Sequence, residues 1–309
     1  MRTIAVSPLS VLLLLLALAS TPAVAQQQQP AAAPQPAPVS QGQQLIRAGK
    51  LDDALAFYQQ ELRTAHNGAG VVLDLLGRTQ EARVHFTKAI EAAATPQAKA
   101  AAQRAMAMSY AFDNDCANTA KYEEMAFDYW GTVPDYFRQG EALNEAARVC
   151  IEAGAFDAAQ TLYLRGQEAG LKEPNISPAR VALWKFRTEH ALARLAARRN
   201  QPEVAKKHVA AARATLDCNP EMAKDQEVFF PYLTGYVALH SGDAKTALAD
   251  LQKANQNDPF IQVLMAQAHE KLGEKEQAMS LYRKAAATTA HNPPAAFARP
   301  FATKKLLAP

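Results

Sequence analysis

The chain is poor in the residues and motifs by which enzymes and metal proteins are recognised. It has three cysteines, Cys116, Cys150 and Cys218, too few to scaffold a fold, although an oxidising compartment would permit one pair and leave one thiol over. Which residues would pair is left open by the sequence. No C-x-x-C occurs, and the seven histidines, His66, His85, His190, His208, His240, His269 and His291, contain no pair at the i, i+4 spacing of a zinc-binding helix. A glycine-rich phosphate loop and a G-x-S-x-G elbow are also missing. The adjacent acids Glu123 and Glu124 cannot converge, because neighbouring helical residues point about 100° apart. We therefore expect no catalytic residues, no cofactor, no metal and no enzyme activity. With 33 basic against 30 acidic residues, the charge is too balanced to advertise a nucleic-acid partner. The string Arg194, Arg198, Arg199, Lys206, Lys207 and Arg213 reads as a solvated face. Trp130 and Trp184 read as packing residues.

Long apolar runs are confined to the N-terminus. Met1-Arg2 is followed by an apolar stretch dominated by Val11 to Leu18, then Pro22 and Ala23-Val24-Ala25. This is the order of a secretory signal peptide, residues 1–25, cleaved between Ala25 and Gln26. Its core is shorter than the roughly 20 residues that span a bilayer, so no stable membrane insertion is expected after cleavage. A periplasmic or secreted location follows. Residues 26–40, QQQQPAAAPQPAPVS, carry no charge, aromatic ring or apolar period, and read as a disordered linker.

What the rest has is alanine, roughly a fifth of the chain, without Val/Ile/Thr-rich alternation, so it reads as helical. Five of the 13 glycines anchor a repeated spacing, with Ala at +5 and a large apolar residue at +9. Gly49 precedes Ala54 and Tyr58; Gly77 precedes Ala82 and Phe86; Gly154 precedes Ala159 and Tyr163; Gly242 precedes Ala247 and Leu251; Gly273 precedes Ala278 and Tyr282. Asn200, which tolerates the same left-handed helix end, leads to Ala205 and Val209. A degenerate copy falls between Gly77 and Gly154, with Asp115 and Ala120 in the anchor places and Glu124 where an apolar plug belongs. The logic is a helical hairpin: Gly turns the chain, the small residue admits the partner helix, and the +9 residue fills the gap.

These residues resemble the tetratricopeptide repeat. The copy Gly235, Gly242, Ala247, Leu251, Ala254 and Pro259 matches best, and the resemblance covers most of residues 41–290. It implies an all-α, right-handed solenoid of antiparallel helix pairs, six to seven repeats, some degenerate. Residues 291–309 are then a Pro-rich tail or cap, Pro293 and Pro294 stopping the last helix. The resemblance further implies a concave groove lined by the first helix of each pair, at about 13, 10, 6 and 3 positions before the anchor. The groove candidates are Asn144 and Arg148, then Arg187, His190 and Arg194, then Phe229, Tyr232 and Tyr236. The implied function is a scaffold that binds a protein or peptide partner through a carboxylate or backbone, Arg148 and Arg194 supplying planar donors. Arg198 and Arg199 fall outside the groove positions. The alternative is an architectural or self-associating solenoid with no groove ligand, which leaves homo-oligomerisation open.

Overall fold

The computed structural model describes residues 40–60 and 65–308, and the expected signal peptide and all of the linker except Ser40 lie outside them. Ser40 caps the first helix, its hydroxyl accepting the Gln43 N–H. From there the chain runs as antiparallel pairs. α1 (Gln41–Arg47) turns into α2 (Leu51–Gln60), α3 (His66–Leu75) into α4 (Thr79–Glu91), and α5 (Pro96–Phe112) into α6 (Cys116–Thr132). The series continues with α7 (Tyr136–Glu152) and α8 (Phe156–Leu171), then α9 (Pro178–Arg198) and α10 (Pro202–Asp217). A short α11 (Pro220–Gln226) and a 3-10 turn (Glu227–Phe229) intervene before α12 (Phe230–His240) and α13 (Ala244–Leu251), and α14 (Pro259–Lys271) pairs with α15 (Lys275–Ala286). There is no strand among the described residues. The fold is an all-α solenoid of stacked hairpins.

Each hairpin turns in the same way. Gly49, Gly77, Asn114, Gly154, Asn200, Gly242 and Gly273 all have positive φ. The residue after each donates its N–H to a carbonyl five back, at 2.8–3.0 Å. This is the Schellman closure, which satisfies helix carbonyls that would otherwise lack partners. The expected small residues Ala54, Ala82, Ala159, Ala205 and Ala247 are fully buried, and so are the plugs Phe86, Leu251 and Tyr282. Seven residues before the turn, a Cβ on Gly70 would lie 2.6 Å from the Phe86 ring, and one on Gly235 would lie 2.6 Å from Leu251 Cγ. Glycine there makes room for the plug.

Two expectations need correction. The degenerate hairpin turns at Asn114 rather than Asp115, since the Asp115 N–H closes onto Tyr110 O. That moves the plug place from Glu124 to Glu123, which is fully buried, while Glu124 lies outside and pairs with Arg165 at 2.6 Å. The C-terminal segment is a helix lying over the last hairpin rather than a tail, and Pro293 and Pro294 open it instead of only stopping the helix before: they begin α16 (Pro293–Leu307), capped by the Asn292 side chain. Proline is tolerated there because first-turn N–H groups have no helical partner anyway.

α16 returns to the beginning of the solenoid. Ala295 and Ala296 join the core built around Val72, Met108 and Ala111. Ala298 and Ala302 pack with Val263 and Tyr282. Arg299 donates from Nε to Leu75 O at 2.7 Å and from Nη1 to Ala286 O at 2.7 Å and Thr288 O at 2.6 Å. Just before α16, His291 donates from Nε2 to the buried Asp74 carboxylate at 2.8 Å and stacks on Phe112. Ser109 holds the other Asp74 oxygen at 2.7 Å. The last hairpin and the hairpins of α3 and α5 therefore share one helix.

Cys116, at the start of α6, is disulfide-bonded to Cys150 in α7, and Cys218 is free and exposed. The bonded pair is 34 residues apart and ties the start of the second helix of one hairpin to the end of the first helix of the next.

Candidate binding cavity

Seven of the eight groove candidates line a single cavity of about 700 Å³ between α7, α9, the turn before α12 and the start of α14. α7 contributes Asn144 and Arg148, α9 contributes Arg187, His190 and Arg194, and the last stretch contributes Phe229 and Tyr232. The helical spacing explains the convergence, because residues three and four apart share one face. Apolar walls come from Phe186, Val228, Phe260 and Ile261, and Pro294 of α16 stands at one side. Val228 and Phe229 are exposed. The 3-10 turn thus presents two apolar side chains at the cavity.

Tyr236 is a correction. It is fully buried and does not line the cavity. Its hydroxyl donates to Glu152 at 2.9 Å and accepts from Arg198 at 3.2 Å, while Arg198 pairs with Glu152 at 2.7 Å. Tyr236 therefore completes an internal ion pair between α7, α9 and α12. For the same reason Arg198 is no solvated bystander, and Arg199 is held by Gln160 at 2.7 Å and by Asp157. Arg194, expected on a solvated face, is buried.

The charges around the cavity are not balanced. Arg187 pairs with Glu141 at 3.2 Å, Glu145 with Arg104 of α5, and Lys253 with Asp250 at 3.0 Å. Asp258 is used at the α14 N-terminus, accepting N–H groups of Phe260 and Ile261 at 2.8 and 3.3 Å. Arg148 and Arg194 remain. Neither has a carboxylate partner among the described residues. Arg194 is only 5% exposed, and its guanidinium donates to Tyr163 Oη at 2.8 Å, Tyr232 Oη at 3.3 Å and His190 O at 3.4 Å. Phenol oxygens orient a guanidinium but do not neutralise it. An unpaired buried charge is strongly disfavoured.

His190 adds a neutral polar group. Burial, reinforced by Arg194 and Arg148, holds its pKa well below the usual histidine range, and its Nε2 has no hydrogen-bond partner. The cavity therefore offers two cations without counter-charge, an imidazole with an unused nitrogen, and aromatic surface. A carboxylate attached to an apolar group satisfies all three. A second cavity, about 450 Å³ between α9 and α10, is lined by Val181, Ala182, Thr215 and Cys218 and has no such convergence of charge.

Some features of this region were missed in the sequence. Glu141 falls at a groove position 13 before Gly154, but its ion pair with Arg187 and that of Glu145 with Arg104, which decide which arginines are left over, were not foreseen. Tyr163, read only as a plug, also steadies Arg194. Both roles depend on contacts across helices.

Residues 261–289 match the family described as Tetratricopeptide repeat. The matched stretch spans most of α14 and all of α15, and the hairpin geometry recurs through the described residues. Residues 261–289 thus carry one tetratricopeptide repeat. The chain is similar to a tetratricopeptide repeat protein from Parabacteroides merdae ATCC 43184 of known crystal structure, with 16% identity, a TM-score of 0.48, and coverage of 79% of this chain and 89% of that one. No curated protein matches the sequence. Among the described residues no helix is long and apolar enough to cross a membrane. Repeats of this kind generally mediate protein–protein interaction.

Proposed function

We propose that this chain is an exported, non-enzymatic adaptor that holds a partner polypeptide in the cavity between α7, α9 and α12, gripping a carboxylate of the partner. The observation that carries the reading is Arg194, a buried guanidinium held by two tyrosine hydroxyls, together with Arg148, neither paired with a carboxylate. A ligand carboxylate would supply the missing charge through hydrogen bonds to Arg148 and Arg194. His190, neutral at pH 7, would add one contact through Nε2. Phe229 and Tyr232 would take an adjacent apolar side chain. Export is supported by the order of residues in the N-terminal segment and by the Cys116–Cys150 bond, which suits an oxidising compartment. α16 covers the last hairpin, the surface that self-association by stacking would use. This favours the groove over the architectural alternative.

The test is binding to a peptide library presented with free and with amidated C-termini and with or without acidic side chains. Binders should need a carboxylate, and Arg148→Ala should weaken them by about 1.5–3 kcal/mol, the range for hydrogen bonds to charged groups. The control is Lys207→Ala, an exposed residue of α10. Equal binding by the wild type, Arg148→Ala and Lys207→Ala would end the cavity reading.

A further inference from the structure

His66 opens α3 and His85 lies in α4, on opposite arms of the Gly77 hairpin, and the antiparallel run of the arms brings the two imidazoles level. Their Nδ1 atoms are 3.2 Å apart. Three of the other five histidines are bonded to carboxylates: His208 to Glu189, His269 to Glu274 and His291 to Asp74. His190 and His240 each have a buried Nε2 with no partner. Only His66 and His85, both half-buried, point ring nitrogens at each other at a place that solvent reaches.

The contact has one arrangement as a hydrogen bond, in which one Nδ1 carries the proton and the other is bare. It has another as a chelate. Imidazole nitrogens bind zinc at about 2.0–2.1 Å, and two of them on one tetrahedral ion are then about 3.3–3.4 Å apart. The observed spacing reaches that bite by a movement of one or two tenths of an ångström. A metal ion in place of the shared proton would sit off the line between the two nitrogens, reached by a turn of the imidazole rings.

We propose that His66 and His85 chelate one divalent transition-metal ion, copper(II) or zinc(II), through their Nδ1 atoms, with water filling the remaining positions. Among the described residues no group of three His, Cys, Asp or Glu side chains converges, so the site is open and exchangeable rather than structural. Imidazole suits both ions, and the general order of affinities puts copper(II) above zinc(II). The positive end of α3 works against a cation at His66, which keeps the affinity modest. A bound ion would staple the arms of the α3–α4 hairpin.

The experiment is a copper(II) and zinc(II) titration of the untagged protein at pH 7.4 by calorimetry, with electron paramagnetic resonance on the copper form. The expected result is one saturable equivalent of modest affinity whose copper spectrum shows two coordinating nitrogens. His66→Asn and His85→Asn, conservative changes at half-exposed positions, should each weaken that equivalent at least tenfold, since even outer partners of metal ligands are worth 10–100-fold. His269→Asn should not. Zinc(II) should also raise the melting temperature of the wild type but of neither variant. The proposal is overturned by a wild type that binds no ion, by affinities unchanged in both variants, or by loss in one variant only, which would mean a single imidazole and no chelate.

Discussion

The solenoid has two stretches of inner surface built on the same hairpin, and they have opposite fates. Along α3 and α5 the inner face carries Val72, Met108 and Ala111, and the chain's own α16 lies on it, with His291 on Asp74 and Arg299 on Leu75. Along α7, α9 and α12 the inner face carries Arg148, Arg194, His190 and Tyr232, and a cavity remains. Backbone geometry does not distinguish them. Small apolar side chains let a helix approach closely and complete a core, whereas guanidinium groups resist burial under apolar surface and keep the space open. One half of the groove is filled by packing. The other is reserved by charge.

The largest effect should come from uncoupling the halves. The Cys116–Cys150 bond joins the last hairpin of the filled stretch to the first of the open one, closing a loop over a separation of 34 residues. A loop of that size is worth roughly 3–4 kcal/mol in the chain-entropy account. Cys116→Ser/Cys150→Ser, or reduction of the wild type, should lower the unfolding free energy by that amount in a denaturant titration. A loss below about 1 kcal/mol would mean that helix packing alone couples the two stretches.

A smaller effect is expected inside the filled half. The three carbonyls that Arg299 engages come from two ends of the solenoid. Arg299→Ala should destabilise the fold by about 2–3 kcal/mol, because hydrogen bonds to charged groups are strong and their loss leaves partly buried carbonyls unpaired. Peptide binding at the cavity should change little. If binding falls while stability holds, α16 shapes the open half and the contrast drawn above is wrong.

How much of this was legible follows from the range of each interaction. The turn residues and their +5 and +9 partners were found from spacing because a helix end, a close contact and a plug all lie within ten residues of each other. The groove positions came from the family resemblance, counted back from each turn, and only Tyr236 was misplaced, drawn inward by Glu152 and Arg198 across two other helices. The degenerate turn slipped by one place because Asp113-Asn114-Asp115 offers three turn-forming residues in a row, and asparagine tolerates positive φ best. The path of α16 had no local signature. Pro293-Pro294 reads equally as the end of one helix and the start of another, and its anchors on Asp74 and Leu75 lie more than two hundred residues away.

The smallest predicted effect concerns Glu123, which sits at the seam of the two halves in a plug place that is apolar in the other hairpins. It is fully buried, 3.5 Å from Arg104, and Arg104 also pairs with Glu145 at the cavity wall. Two acids share one base. Burial first, and the neighbouring Glu145 second, push the Glu123 pKa well above the ordinary carboxylate range. In the folded chain Glu123 therefore holds its proton more tightly than in the unfolded chain. Its contribution to stability is complete below the unfolded pKa, near 4.3, and is lost as pH rises toward the folded value. Glu123→Gln imitates the protonated form at every pH. It should match the wild type near pH 4 and be the more stable of the two at pH 8. Arg104 would keep Glu145 as its partner, leaving the cavity wall in place. A variant less stable than the wild type at pH 8 would show that the ionised Glu123–Arg104 pair holds the seam and that the inverse pH dependence does not exist.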